Sequence, residues 1–500
     1  PCLVAMFTYS RASPRSGEVI QFNDATYSLD EIASWLWNFG DGTTSTLQNP
    51  THIYTSEGVY QPSLKVTDIS GYNGTVQVMM EVKTADYTIR QNGAVFEAVN
   101  KFGVVAFSDT IATTVIQYGL DQIGGSATST SRKMVFVEDG TYDLAQPTGG
   151  WRKNPDGDTG ALWMWKSGVG PFKYITLEGE SWNTHLKASN RNPNAIYFMA
   201  YDDNPSLGVR IANLQLDGGA TPPEHSVWNQ KNGIQTLFTH DAIFETLWIH
   251  NFDRTGLYNT EFSYRNEIRN NLISYNSRFG CSYTSSHTGH IHHNRFEGND
   301  IWGLNIDSTY GPADNTVAEY NLFINQPLFD VFVISESIDT AVKNAFVRNN
   351  IFISSGSMGV IKTTFARENI VIENNYIEWS GPSDQQVIMI QDSSKDIRVL
   401  NNYIKSSAAY GAIYIDDGSS CLIKGNNFTM TGGDFVVRIA PGSGNSGTVI
   451  ENNTFKGLNG VFVGTGVNNT VIRGNDFRQI TGTPIENHGT GTIIEDNLMP

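Results

Sequence analysis

Asn374-Asn-Tyr-Ile377 is one copy of a short phrase that recurs through the second half of this chain of 500 residues. In every copy except Ile249-His-Asn251 an asparagine is followed two places later by an apolar residue, and the copies lie about 25 residues apart. A fixed period of this length indicates a solenoid, in which each repeat forms one coil and stacks on the next. The copies are Ile249-His-Asn251, Asn270-Asn-Leu-Ile273, His293-Asn-Arg-Phe296, Tyr320-Asn-Leu-Phe323, Asn349-Asn-Ile-Phe352, Asn374-Asn-Tyr-Ile377, Asn401-Asn-Tyr-Ile404, Gly425-Asn-Asn-Phe428, Asn452-Asn-Thr-Phe455, Gly474-Asn-Asp-Phe477 and Asp496-Asn-Leu-Met499.

The strand content of one period identifies the kind of solenoid. Each period holds three short β segments, for example Thr448-Val-Ile-Glu451, Thr454-Phe455 and Gly460-Val-Phe-Val463, and none shows helical spacing. Three strands per coil, stacked at the parallel-strand spacing of about 4.8 Å, predict a parallel β-helix of about ten coils. The recurrent asparagine is predicted to form an interior ladder, in which each amide donates to and accepts from its copies above and below.

A second column of residues supports this register. Two places before each repeat asparagine the charges mostly alternate in sign from coil to coil, as expected for cross-strand pairs on an outward face. We therefore interpret His292 as an ion-pair partner of Glu319 rather than a catalyst or metal ligand, and His293 as a turn residue. The column consists of Arg269, His292, Glu319, Arg348, Glu373, Leu400, Lys424, Glu451, Arg473 and Glu495.

Composition and charge limit the classes of function. The formal charge of −17 disfavours nucleic acid and anionic membrane surfaces as partners and is compatible with divalent cations. The sequence has no apolar run of the roughly 18 residues needed to span a bilayer. Three cysteines without a CxxC pair indicate neither a disulfide framework nor a cysteine zinc site. Abundant glycine and polar turn residues are typical of a loop-rich β protein.

Residues 1–84 have a different pattern, with short alternating strands between Asp-Gly and Ser-Gly turns, which predicts a two-sheet sandwich. The motifs Trp37-Asn-Phe-Gly-Asp-Gly42, Gly58-Val-Tyr60 and Val66-Thr-Asp68 resemble the signature of PKD domains, with Asn38 where aspartate is usual. Trp37 and Phe39 are predicted to fill the core. The resemblance implies a spacer or adhesive module of secreted and cell-surface proteins, without a catalytic role.

The segment that follows resembles the first coils of pectate-lyase-like β-helix proteins. Residues 109–123 are predicted to form an amphipathic helix, with Asp109 as its N-cap and Gly124 at its end, that covers the open end of the β-helix. Met134-Val-Phe-Val137 and Glu138-Asp-Gly-Thr-Tyr142 would begin the first coil. The predicted fold is all-β: a PKD-type sandwich (1–84), capping helix and first coils (85–204), and right-handed parallel β-helix repeats (205–500).

One parallel sheet of the β-helix is predicted to carry the functional face. The resemblance to pectate-lyase-like proteins implies that polysaccharide would bind along such a sheet, in a groove between loops. With Leu304 and Ile306 inward, Asn305 and Asp307 face outward, above Thr284 on the preceding coil. The sheet is predicted to contain Gly256-Leu-Tyr-Asn-Thr-Glu261, Gly280-Cys-Ser-Tyr-Thr284, Gly303-Leu-Asn-Ile-Asp307, Asp330-Val-Phe-Val-Ile-Ser-Glu336, Gly359-Val-Ile-Lys362, Ala412-Ile-Tyr-Ile-Asp416 and Val436-Val-Arg-Ile439.

The candidate site residues follow from this face. Carboxylates on neighbouring coils suit a glycoside hydrolase, and carboxylates with a nearby base and a cation, calcium above all, suit β-elimination from a uronic acid. No metal ligand is assigned from the sequence. The catalytic candidates are Asp307, Glu336, Glu261, His287 and Arg265. The substrate-binding candidates are Tyr258, Thr284, Asn305, Tyr310, Phe332 and Tyr414.

Two functions remain open on sequence grounds. One is an extracellular carbohydrate-active protein that cleaves or binds an acidic polysaccharide or cell-surface glycan, as a lyase or glycoside hydrolase if it is an enzyme. The other is a non-enzymatic sheath, fibre, adhesin or virion subunit that associates with itself. The motifs of polygalacturonase-like hydrolases do not occur, because Asp416-Asp417 stands alone and Gly289-His-Ile291 departs from Gly-His-Gly. The Asp-Pro-His-Glu motif of alginate epimerases is absent as well.

Overall fold

The fold is given by a computed structural model that describes two compact units. One unit comprises residues 1–87 with 100–104, and the other comprises residues 88–99 with 105–500. The described residues are all except 1–2, 11–13, 29, 149–151, 154–158, 189–193, 220–230, 310, 335–341, 366–367, 382–384, 408–410 and 443.

The N-terminal unit is a small antiparallel β-sandwich, as predicted. Trp37 and Phe39 lie in its core with Phe22 and Tyr54, and each of these side chains is almost completely buried. Its strands are Leu3–Val4, Phe7–Tyr9, Val19–Asp24, Tyr27–Ser28, Ile32–Asn38, Thr44–Ser45, Thr51–Ile53, Gly58–Tyr60, Ser63–Asp68, Asn73–Gln77 and Met80–Val82.

The second unit begins with strands and one helix that cover the first coil. The helix spans Ala112–Ile123, so the predicted end is confirmed and the predicted start is wrong by three residues. Asp109 instead ends the strand Val105–Asp109 and accepts a hydrogen bond from the backbone of Ile111. Gln117 of the helix bonds both backbone groups of Trp163, which fixes the helix on the first coil.

Three long sheets, here called A, B and C, form the β-helix, and each coil passes through them in that order. Sheet A contains Tyr87–Asn92, Val95–Asn100, Val105–Asp109, Lys133–Val137, Ile175–Gly179, Arg210–Ala212, Ile243–Glu245, Glu267–Arg269, His290–His292, Val317–Glu319, Phe346–Arg348, Ile370–Glu373, Ile397–Leu400, Leu422–Lys424, Val449–Glu451, Val471–Arg473 and Ile493–Glu495. Sheet B contains Gly140–Asp143, Thr184–Lys187, Gln215–Asp217, Trp248–His250, Leu272–Ser274, Arg295–Glu297, Leu322–Ile324, Ile351–Ser354, Tyr376–Trp379, Tyr403–Ser406, Asn427–Met430, Thr454–Gly457 and Asp476–Ile480. Sheet C contains Arg152–Lys153, Thr159–Trp163, Asn194–Tyr197, Ile234–Leu237, Leu257–Thr260, Phe279–Thr284, Trp302–Asp307, Phe329–Ile334, Ile361–Thr364, Ile388–Lys395, Ile413–Ser419, Phe435–Ile439, Asn459–Val463 and Ile485–Asn487. Two short pairs, Trp165–Lys166 with Gly170–Pro171 and Ser206–Leu207 with Thr239–His240, lie outside these sheets.

The predicted asparagine ladder lies inside the corner between sheets A and B. The backbone N–H and the Nδ2 of each member except the last both donate to Oδ1 of the member on the next coil. The ladder begins at Asn271, so the assignment of Asn251 to it was wrong: Asn251 follows a strand of sheet B and has a φ of 59° at the next corner. The members are Asn271, Asn294, Asn321, Asn350, Asn375, Asn402, Asn426, Asn453, Asn475 and Asn497.

The predicted charged column runs along the outer face of sheet A in the predicted register. Glu319 pairs with Arg348 at 2.7 Å, whereas His292 bonds Glu267 at 2.8 Å and not Glu319 as predicted. His292 bonds Glu267, its diagonal neighbour on the preceding coil, because Glu319 already bonds Arg348 and His290. His293 is a turn residue with a φ of 55°, as expected.

Candidate functional site

The strands predicted for the functional face do lie together, in sheet C. Leu304 and Ile306 are fully buried inside the coil, so Asn305 and Asp307 face outward, as their alternation predicts. The register stacks Thr284 beneath Asp307, and Ser282 beneath Asn305. Phe332 follows Asn305 on the next coil. The outer face of sheet C at these coils is the candidate site.

A chain of hydrogen bonds surrounds the Asp307 carboxylate. Thr309 donates to it through its backbone N–H at 2.8 Å and through Oγ1 at 2.7 Å. Nδ2 of Asn305 lies 3.4 Å from Asp307 Oδ2 and 3.1 Å from Ser282 Oγ, which in turn lies 2.9 Å from Thr284 Oγ1. These donors hold the carboxylate in one orientation at the end of its strand.

Thr284 and Asn305 were predicted to contact substrate, but the structure buries both to 1 % exposure. Their side chains are short, and each has a larger neighbour one strand spacing away, Phe332 beside Asn305 and Asp307 beside Thr284, so little of their surface reaches solvent. Thr284 bonds Ser282 on its own strand, and Asn305 donates to the same Ser282 hydroxyl from the next coil. Asn305 therefore helps to hold Asp307 directly and Thr284 acts on it through Ser282, and the substrate-binding role of both residues stays a prediction.

An aromatic cluster begins at the opposite end of the same strands and reaches their middle at Phe332, which stands beside Asn305. Phe279 and Trp302 stack at 4.5 Å between ring centroids, and Trp302 meets Phe332 edge-on at 4.3 Å. The Arg278 guanidinium lies 4.6 Å from the centre of the Phe279 ring, and the Lys362 ammonium lies 5.5 Å from that of Phe332. We call these five residues the aromatic–cation cluster. Phe279 and Phe332 are buried, so Trp302 is the ring of the cluster that a sugar could contact, with the two cations beside it for a sugar carboxylate.

Sequence reasoning identified Phe332 but missed the rest of this cluster. The predicted segments began at Gly280 and Gly303, one residue after Phe279 and Trp302. The signal in the sequence was an aromatic residue at the same place on three successive coils, namely Phe279, Trp302 and Phe329.

Asp330 follows Phe329, but its carboxyl is fully buried, and burial raises the pKa of this carboxyl well above the ordinary value.

His287 and Arg265, predicted as catalytic bases, lie at the corner between sheets C and A and are engaged there. His287 hydrogen-bonds Asp314 through Nδ1 and stacks on Tyr264. Arg265 forms a two-point ion pair with Asp241, at 2.7 and 2.9 Å. A guanidinium held by a carboxylate in this way is a poor proton acceptor.

The other predicted residues lie on or beside the same face. Glu261 follows the strand Leu257–Thr260 with a φ of 48°, one coil before Ser285. Tyr258 is half-buried on the outer column of sheet C beneath Ser282, with Arg254 5.6 Å from its ring centre, and Tyr414 lies on the same column farther along. Glu336 and Tyr310 lie outside the described residues.

No helix in the described part of the chain is both long and apolar enough to cross a membrane.

A microbial collagenase of Vibrio alginolyticus is 32 % identical over 192 residues, which cover 37 % of this chain and 23 % of that protein. The chain therefore spans about a quarter of that relative's length.

Two solved structures resemble the β-helix. The A-module of an Azotobacter vinelandii mannuronan C-5 epimerase is 14 % identical with a TM-score of 0.52, covering 76 % of this chain and 94 % of that one. The tailspike protein of E. coli bacteriophage HK620, solved with a pentasaccharide, is 10 % identical with a TM-score of 0.56, covering 77 % of each chain. At these identities the likeness concerns the fold alone.

Family profiles agree with the architecture. The profile described as PKD domain matches residues 5–82. The profile described as right handed beta helix region matches residues 223–323 and 337–499, which is more than half of the chain. Together with the three parallel sheets, this match identifies the chain as a member of the right-handed β-helix family, with a PKD domain at its N-terminal end.

Proposed function

We propose that the chain is an extracellular protein that binds an acidic polysaccharide along the outer face of sheet C and cleaves it beside Asp307. The observation that carries the proposal is the aromatic–cation cluster. Trp302 is its one partly exposed ring and offers an apolar contact to a pyranose, while Phe279 and Phe332, each 7 % exposed, support that ring from below. Arg278 and Lys362 bring positive charge to a chain whose net charge is −17. The cations favour an acidic sugar over a neutral one.

The dimensions of the face favour a polymer. Trp302 begins its strand and Asp307 ends it, so five residue steps of about 3.3 Å separate them by about 16 Å. A ligand in contact with both ends of the strand is an oligosaccharide of several units. The fold is compatible with this substrate class, because the mannuronan epimerase acts on a uronic acid polymer by its name, and the tailspike was solved with a pentasaccharide.

The proposed chemistry uses Asp307 as the carboxylate at the scissile bond. As a general acid or base it would serve a hydrolase together with a second carboxylate, for which Glu261 and Glu336 are the candidates. In a lyase it would accept a proton α to the sugar carboxylate, whose charge calcium would offset. The PKD domain would act as an adhesive spacer at the cell surface.

The aromatic–cation cluster gives a binding test. Replacing Trp302 by alanine is expected to weaken binding of an acidic polysaccharide such as polyuronate about tenfold, because the ring supplies the apolar contact. Binding is measured by isothermal titration with acidic and neutral polymers, with and without calcium. Trp182→Ala is the matched control, because Trp182 is an exposed tryptophan at the corner between sheets A and B. Equal loss of affinity in the Trp302→Ala and Trp182→Ala variants would contradict the proposal. So would a wild-type chain that binds neutral polymers more tightly than acidic ones.

A second candidate function, self-association, is favoured by an apolar patch on sheet B. Ile351, Ile353 and Tyr376 are each about two-fifths to one-half exposed, and Tyr376 stacks on Tyr403 at 5.3 Å. Leu322 precedes Ile351 on the same column of the sheet. A flat apolar face with in-register rings suits pairing with the same face of a second copy.

This candidate predicts that lysine at both Ile351 and Ile353 converts a dimer or higher assembly into monomers, because paired copies would bury two like charges on each side. Sedimentation velocity over a range of protein concentrations measures the change. Thr429→Lys lies on the same column as Ile353 but beyond the apolar patch, and it should leave the assembly intact. A wild-type chain that is monomeric at all concentrations would remove this candidate.

A further inference from the structure

A cluster of histidine and glutamate side chains lies on the outer face of sheet A, away from the site on sheet C. Glu267 and His290 are directly paired on adjacent coils, and His292 stands two residues beyond His290 on the same strand. Each offers one ligand atom, and these three atoms all lie within 4.8 Å of one another. We propose that Glu267, His290 and His292 bind a divalent transition-metal ion of the zinc class.

The spacing of the three groups fits such an ion. Ligand atoms around a tetrahedral zinc lie about 3.3 Å apart, given metal–ligand distances of about 2.0–2.1 Å. Glu267 and His292 are already in contact at 2.8 Å, and the rings of His290 and His292 lie 4.0 Å apart between centroids. Side-chain rotations that move the ligand atoms by about 1.5 Å at most therefore close the site around the ion.

The chemistry of the donors selects the class of metal. Two imidazoles and one carboxylate suit zinc, nickel, cobalt or copper, whereas calcium prefers a shell made of oxygen atoms. The three protein ligands leave a fourth position for water, because the cluster faces solvent: the side chains of His290 and Glu267 are 43 % and 27 % exposed.

Neighbouring groups hold the ligands in place. His290 bonds Glu319 at 2.8 Å, and Arg348 fixes Glu319 at 2.7 Å. Arg269 bonds Glu267 at 2.8 Å and is itself held by Glu245 at 2.7 Å. A carboxylate on a ligand imidazole orients the ring and raises its basicity, which is the usual support for a bound metal. The ligands stand on strands rather than loops, so the sheet keeps their positions fixed.

The sequence alone gave the opposite interpretation, because the charge alternation made His292 an ion-pair partner. The structure pairs His292 with Glu267 instead of Glu319 and places the imidazole of His290 beside them, and a pair of imidazoles beside one carboxylate is a chelating set. This proposal does not depend on polysaccharide binding, because the cluster belongs to another sheet.

Zinc binding is tested with the full chain after treatment with a chelator, by isothermal titration with ZnCl₂ and, separately, CaCl₂. We expect one equivalent of zinc to bind and calcium to give no binding that depends on these residues. His290→Ala, His292→Ala and the conservative Glu267→Gln should each weaken zinc binding at least tenfold. His488→Ala is the matched control, because His488 forms an exposed pair with Glu486 at 2.8 Å and reproduces one half of the cluster.

Melting curves of the metal-free variants, which should match the wild type, separate loss of ligands from loss of fold. X-ray absorption of the cobalt-loaded chain should report two imidazole ligands. Zinc binding that survives the double replacement of His290 and His292, or a wild-type chain that binds no zinc, would overturn the proposal. A calcium-binding wild type whose affinity falls on these replacements would overturn the assigned class of metal.

Discussion

Replacing Asp307 by asparagine is expected to lower the rate of product release from an acidic polysaccharide by about 10²–10⁴-fold, the usual contribution of one general acid or base. Asparagine keeps the shape of the side chain and can accept from Thr309 as the carboxylate does, so affinity for the polymer should change less than threefold. The measurement is the release of reducing ends, with the ultraviolet absorbance of unsaturated uronate separating a lyase from a hydrolase.

The matched control for this prediction is Asp416→Asn. The register puts Asp416 on the same outer column of sheet C as Asp307, four coils farther along and beyond the aromatic–cation cluster. Activity that falls equally in both variants would mean that the charge of the whole face matters rather than one carboxylate. Activity unchanged in Asp307→Asn would remove Asp307 from the chemistry and leave a binding role for the face.

The sequence predicted the β-helix well because its ladder needs the same residue at the same register on every coil. Asn402 and Asn426 can bond each other only if they occupy equivalent positions, so the period is visible in the sequence. Alternation likewise separated inward Leu304 from outward Asn305. The wrong predictions concern residues whose structure depends on contacts with residues distant in the sequence. Asp109 had the residue type of an N-cap but belongs to a strand.

The candidate site was less predictable for the same reason. Alternation gives the direction of a side chain but not its exposure, which depends on the size of the neighbours on adjacent coils. Asn305 therefore faces outward and is still buried. The partner of Arg265 was not predictable either, because the lengths of the turns determine that Asp241 meets it at the corner. To predict the aromatic–cation cluster from the sequence, the first residue of each strand would have to be known to within one residue.

The face on sheet C and the cluster on sheet A depend on the same scaffold, so the rigidity of the ladder is a condition for both. The parallel strands fix the separation of Glu267 from His290 in the same way as that of Thr284 from Asp307. A loss of register at one coil would displace every pair above it. The asparagine ladder is an interior polar structure that opposes such a slip.

Asn426→Ala is expected to lower the free energy of unfolding by about 3–5 kcal/mol, because it orphans buried backbone groups. Oδ1 of Asn426 accepts from both N–H and Nδ2 of Asn402, at 2.9 and 3.0 Å. Its Nδ2 donates to the backbone oxygen of Val399 at 2.8 Å. Alanine leaves the Asn402 N–H and the Val399 carbonyl without these partners, where each such loss costs about 1–3 kcal/mol.

The adjacent residue provides the control, because Asn427 is exposed on sheet B and its contacts with the described residues are those of its strand. Asn427→Ala should change the free energy of unfolding by less than about 0.5 kcal/mol, as surface replacements usually do. Denaturant-induced unfolding measures both variants, and hydrogen exchange at the Asn402 amide reports the local effect, because its protection depends directly on Asn426. Comparable unfolding midpoints for the two variants, with Asn402 equally protected, would mean that strand pairing alone holds the coils in register and that the ladder is dispensable.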